Sequence, residues 1–145
     1  MVWYANSQGR YGKTGAKGDL GEAIVRKYCK SNNISFEDKN DIVSQVHLKI
    51  DCLIEGVPVD VKSNYFKGYL AVELTTKTGK PGWLYTTTAE EIYGVDVDNE
   101  YIFRYKVDDM KEYVEDNMHR AKQSKNGDIL LWVDTDRVEF IESLQ

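Results

Sequence analysis

Apolar and polar residues alternate most regularly between Lys49 and Lys62. Ile50, Cys52, Ile54, Val57, Val59 and Val61 fall on one side of the pattern. Lys49, Asp51, Leu53, Pro58, Asp60 and Lys62 fall on the other. A period of two in β-prone residues predicts two strands. Glu55-Gly56 between them reads as a two-residue hairpin turn. That register gives the hairpin one wholly apolar face and sets Asp51 directly opposite Asp60 on the other.

A helical period appears twice. Leu20, Ala23, Ile24 and Tyr28 predict a helix over residues 19–30, and Met110, Tyr113, Val114, Met118 and Ala121 a longer one over 108–124, ended by Asn126-Gly127. Residues 69–76, 100–106, 129–133 and 137–141 read as strands. A short extended piece covers 34–36, and Val46 and Leu48 lead into the hairpin. Thr88 with Glu91 has the form of a capping box opening a short helix through about residue 93. This order predicts an α/β fold with a mixed central sheet flanked by helices: helix, three-stranded meander, helix, strand, then a helix and β tail. The apolar back of the hairpin should pack beneath a helix and leave the carboxylate edge open to solvent.

Composition narrows the class. With 145 residues, 41% hydrophobic and 30% charged, the chain reads as one globular domain over residues 19–145, behind a flexible basic arm at 1–18. A net charge of −5 argues against a protein that coats duplexes. The arm, however, carries Arg10, Lys13 and Lys17 and no acid, so these three are candidate phosphate contacts. The arm could instead order on a second subunit or be a disordered terminus. It is not a Walker loop, because no G-x-x-x-x-G-K-[ST] is present. Cys29 and Cys52 read as buried free thiols, too few for a zinc site of their own. No apolar run approaches a membrane span and no signal peptide is evident. A cytoplasmic protein with no membrane partner is expected.

The chemistry concentrates on the polar face of the hairpin. Like charges directly opposed on a sheet repel, so Asp51 and Asp60 need a shared proton or a cation between them. Mg²⁺, or Mn²⁺, suits such oxygen ligands, and one or two protein carboxylates hold it. Lys62 projects from the same face as Asp60. Two carboxylates with an amine beside them suit metal-assisted phosphodiester hydrolysis. Glu22, on the first helix, is a further candidate, although Asp19 and Glu22 also have the spacing of a capping box. Asp60 and Lys62 could alternatively be a surface ion pair. Glu73 and His47 are weaker candidates for the site, and His119 needs no function. Tyr65, Phe66, Tyr69, Trp83 and Tyr85 could stack on unpaired bases or simply pack a core.

Asp51 followed by Asp60-Val61-Lys62 on adjacent strands resembles the signature of the PD-(D/E)XK nuclease superfamily. The preceding helix with Glu22 is similar to the helix that supplies an extra glutamate in many of those enzymes. The order of these parts resembles archaeal-type Holliday-junction resolvases and phage T7 endonuclease I. The Gly-rich basic arm is similar to that of the phage enzyme, and residues 80–93 resemble small phage-encoded members. Ile50 stands where the family usually has Pro, and Asp60 where Glu is commoner. The resemblance implies a restriction-endonuclease-like core (α-β-β-β-α-β) over residues 18–106 and a Mg²⁺-dependent endonuclease acting on DNA, in the host cytoplasm if phage-encoded. Asp51 and Asp60 would hold the metal, Glu22 would complete or orient its coordination, and the Val61 carbonyl would be a further ligand. Either the metal, by lowering the pKa of bound water, or Lys62, by positioning and polarising that water, would generate the nucleophile. Branched or junction DNA is the implied substrate. A sequence-specific restriction or homing-type enzyme is the alternative, and a non-catalytic nucleic-acid-binding or assembly protein a third reading. Symmetric cutting of two strands would favour a homodimer.

Overall fold

The computed structural model describes the backbone of residues 13–144 and the side chains from residue 18 onward. Its hairpin is the one expected from sequence. β2 (Cys52–Ile54) and β3 (Val57–Lys62) pair antiparallel with Cys52 opposite Val59 and Ile54 opposite Val57. Glu55 and Gly56 both take positive φ, 51° and 80°, as a type I′ turn requires.

Among the described residues, six strands form one sheet in the order β1 (Phe36–Asp38), β2, β3, β6 (Glu91–Asp96), β7 (Tyr101–Lys106), β10 (Glu142–Ser143). β3 and β6 run parallel and their neighbours antiparallel, so the sheet is mixed. The long β3–β6 connection holds β4 (Tyr65–Phe66), β5 (Tyr69–Thr75) and α2 (Trp83–Thr86). β4 and β5 join β9 (Ile129–Asp134) and β8 (Lys122–Gln123) in a second, four-stranded sheet.

Each face of the six-stranded sheet closes a separate core. Cys52, Ile54, Val59, Tyr93, Val95 and Ile102 bury against Val25 and Cys29 of α1 (Lys13–Ser31). The apolar back of the hairpin therefore does lie beneath a helix. On the opposite face, Ile92, Phe103 and Tyr105 meet Leu70, Val72, Leu74, Leu131 and Val133 of the second sheet. Leu84 of α2 and Val107, Met110 and Val114 of α3 (Val107–Asp116) complete that core. Gly94 permits the sheets to approach, since a Cβ there would stand 2.7 Å from a Leu70 methyl.

Several elements differ from the sequence expectation. Residues 91–96 form a central strand rather than a capped helix, because Ile92, Tyr93 and Val95 are buried on alternate faces between two cores. The strand expected at 69–76 joins the second sheet instead of extending a meander. Residues 43–48 form a π-helical turn, not a lead-in strand. α3 stops at Asp116, and Met118 beyond it is exposed. Residues 137–141 are turns before β10. α1 begins at Lys13, so Asp19 and Glu22 lie inside a helix and cannot form a capping box.

Candidate active site

The hairpin ladder is displaced at Asp51. By register Asp51 would face Asp60, yet its N–H donates to the Val59 carbonyl at 2.9 Å. Its Oδ2 accepts the Val61 N–H at 2.7 Å. The side chain thus takes the role of a backbone acceptor in the ladder. That contact turns the carboxylate along the sheet toward β3, where a side chain standing perpendicular would have pointed away.

Asp60 lies across β6 and β7 from Ile92 and Tyr105, in one lateral row. Both neighbours belong to the core beneath the second sheet, so Asp60 faces that core and is only 4% exposed. The carboxylate edge is therefore not open at Asp60, contrary to the sequence expectation, because Asp60 shares its row with the buried Ile92 and Tyr105. Burial pushes its pKa up to about 8. The Lys62 ammonium opposes the shift, and the charge of Asp51 and a side-chain hydrogen bond with Asp51 add to it. The same burial raises Tyr105 above the usual phenol range, with the charge of Asp60 adding to the effect.

Lys62 Nζ stands 3.5 Å from Asp60 Oδ2. At that length the contact is a loose ion pair, and apart from it Oδ2 is a buried oxygen with no hydrogen-bond partner. A buried carboxylate oxygen left unbonded is costly.

Glu22 approaches from the other side of the sheet. Its neighbour Gly21 packs so closely that a Cβ there would fall 2.0 Å from Ser63 Oγ. Burial raises the Glu22 pKa to about 7, with the charge of Asp51 the next cause and Asp19 after it, while Arg26 opposes them. Asp51 thus bears electrostatically on both Glu22 and Asp60. Among the described residues, no three His, Cys, Asp or Glu side chains form a group that could hold a metal. The close carboxylate pair is Asp51 with Asp60, and Glu22 stands outside it.

The remaining candidates separate clearly. Glu73 Oε1 accepts the Trp83 backbone N–H at 3.2 Å. His47 is exposed on the π-helical turn, and His119 is exposed on a 3-10 turn. Tyr65 stacks on Phe103 with ring centroids 5.0 Å apart, while Phe66, Tyr69 and Tyr85 are exposed. Cys29 and Cys52 are buried free thiols, as expected. Arg10 lies outside the described residues, and Lys13 and Lys17 fall at the start of α1. No described helix is long and apolar enough to cross a membrane.

Sheet order, helix placement and a paired-strand acidic site together define a fold that can be compared with solved structures. The chain is similar to a bacterial homing endonuclease, I-Ssp6803I. The match has a TM-score of 0.53 at 18% identity and covers 70% of this chain and 71% of that one. At that identity the likeness is one of fold: a central mixed sheet flanked by helices. No protein-family model matches the chain, and no curated protein matches it.

One contact at the site was not anticipated from sequence. Lys62 Nζ lies over the Trp83 ring, 5.2 Å from its centroid. The two residues are 21 positions apart on different elements, so no local spacing announces their meeting.

Proposed function

We propose that this chain is a metal-dependent DNA endonuclease that hydrolyses phosphodiester bonds at the Asp51–Asp60–Lys62 site. The observation that carries the reading is the unbonded, buried Oδ2 of Asp60, with Asp51 and Lys62 beside it. An oxygen in that state fits a cation ligand. The donor set fits as well: two carboxylates and the Val61 carbonyl are hard oxygen ligands, which Mg²⁺ or Mn²⁺ takes together with water. Asp51, Asp60 and Val61 would hold the ion, and Glu22 would orient its water. When bound, the ion supplies Lewis acidity toward water and the scissile phosphate.

The chain's own groups do the remaining work. Asp60 must release its proton for the site to load, because burial holds that proton up to about pH 8. Lys62 can polarise the attacking water and stabilise charge gathering on the phosphate. Asp51, fixed by the Val61 N–H, keeps its carboxylate aimed at β3.

The likeness to a homing endonuclease favours sequence-specific duplex DNA as the substrate. Branched DNA is the second reading and rests on the order of motifs along the chain. Arg10, Lys13 and Lys17 are the proposed phosphate contacts, and a homodimer would place one site on each strand. The test gives the full chain and Mg²⁺ two substrates in parallel: a plasmid library with randomised inserts, and an immobile four-way junction. Cutting at a recurring sequence supports the first reading, and resolution of the junction supports the second. DNA binding without cleavage of either, in Mg²⁺ or Mn²⁺, overturns the nuclease assignment in favour of a binding protein.

A further inference from the structure

Lys62 is held from two sides, and only one of them is a charge. Its ammonium has Asp60 at 3.5 Å and the Trp83 ring at 5.2 Å. The ring is firmly mounted. Trp83 opens α2, and the next residue, Leu84, is completely buried in the core. The Trp83 backbone N–H is held by the Glu73 carboxylate. The preceding Gly82 donates its N–H to the Leu74 carbonyl at 2.9 Å. Gly82 also sits so close to β5 that a Cβ would stand 2.3 Å from the Glu73 carbonyl oxygen. These relations to one strand fix the backbone that carries the indole, and the ring itself packs partly buried against the core.

An aromatic face attracts an ammonium without using its N–H donors. A second carboxylate in that place would occupy those donors. A lysine otherwise loses considerable rotamer freedom when it takes up one geometry. Here part of that ordering is complete before any substrate arrives. We propose that Trp83 is a positioning residue for Lys62, holding the amine over the indole with its N–H groups free for the phosphate or the attacking water. Glu73, weighed from sequence as a fourth site carboxylate, then serves by mounting Trp83. This rests on the nuclease reading above.

The test combines a contact readout with kinetics on the full-length chain. In the first, the Lys62 ε-methylene resonance, identified by its loss in Lys62→Gln, is compared between wild type and Trp83→Leu. Expected is an upfield ring-current shift that disappears in Trp83→Leu and persists in Trp83→Phe. In the second, cleavage of the plasmid substrate is followed. Trp83→Leu should lower kcat by about tenfold with KM unchanged, the scale of a partly desolvated cation–π contact. Trp83→Phe should recover most of that loss, and this rescue also covers the case in which Trp83→Leu fails to fold. A Lys62 resonance without the upfield shift, or an unchanged kcat in Trp83→Leu, overturns the proposal. Absence of cleavage by wild type while the shift is present overturns the nuclease reading instead, and Trp83's role in cleavage with it.

Discussion

Asp51 Oδ2 accepts the backbone N–H of Val61 at 2.7 Å, so a side chain of one strand fills a ladder position of the next. This ties the carboxylate to β3, and its charge bears on Glu22 of α1 and on Asp60 alike. Both of those groups have raised pKa values to which the charge of Asp51 contributes. Three acids linked in this way make the stability of this region depend on protons.

The first prediction concerns pH. Glu22 rises from 4.5 to about 7 and Asp60 from 3.8 to about 8 on folding. Between the unfolded and folded values the native state holds protons that the unfolded chain has released. Stability without metal therefore falls as pH rises from about 4 to about 8, and these two groups cost nothing further above that. Melting temperatures in EDTA at pH 5 and pH 8 test this. The drop should be smaller in Asp60→Asn. A drop of the same size in that variant would mean Asp60 is not its source.

Metal should reverse the loss. On the proposed reading Mg²⁺ or Mn²⁺ would bind only the folded site and relieve its repulsion, so it should raise the melting temperature at pH 8. Asp51→Asn keeps an acceptor for the Val61 N–H but removes the charge. This variant should be more stable than wild type without metal and gain little from added Mg²⁺. Identical responses of the two proteins in a thermal titration would place the metal elsewhere.

Not all of this was legible in the sequence, for physical reasons. The Glu55-Gly56 hairpin was, because local turn chemistry and alternation agree and both residues take positive φ. β6 was not. A central strand buried on both faces loses its alternation, and Thr88 with Glu91 imitated a helix start. The second sheet was hidden because its main pairing joins β5 to β9, about sixty residues apart in sequence. The burial of Asp60 was not legible either, since it follows from the pairing of β3 with β6, which the sequence did not announce as a strand. The hairpin register brings Asp51 near Asp60, but the displacement of the ladder at Asp51 and its side-chain bond to the Val61 N–H were not legible. The contact of Lys62 with Trp83 needed the tertiary fold.

Lys62→Ala should lower cleavage by about 10²–10⁴-fold, the usual scale for a positioned proton-transfer group. DNA affinity should change little, because one amine is a small part of a multi-phosphate contact. Gel-shift and cleavage assays on the same preparation separate the two. Full cleavage by this variant would remove Lys62 from the mechanism.

Gly82→Ala should destabilise the fold by about 1–3 kcal/mol through overpacking. The new Cβ would meet the backbone of Glu73, whose carbonyl oxygen and carbon would be 2.3 and 2.6 Å away. The φ of Gly82, −76°, is ordinary, so the effect would be steric and not conformational. Denaturant unfolding reads it, and an unchanged midpoint would show that α2 is not seated tightly on β5.

Replacing Arg10, Lys13 and Lys17 together by Gln should weaken DNA binding and flatten its salt dependence by at most about 3 in log–log slope. Substitution is preferable to deleting residues 1–17, which would remove the start of α1. An unchanged slope would show that the basic segment makes no phosphate contact.

The most direct measurement is DNA cleavage by wild type and by Asp60→Asn, each with Mg²⁺ and with EDTA. Asp60 is the buried residue whose unbonded oxygen carries the assignment. Wild type should cut in Mg²⁺ only, and Asp60→Asn should be inactive in both conditions while remaining folded. Equal cleavage by the two proteins, or cleavage by wild type that persists in EDTA, would contradict the account.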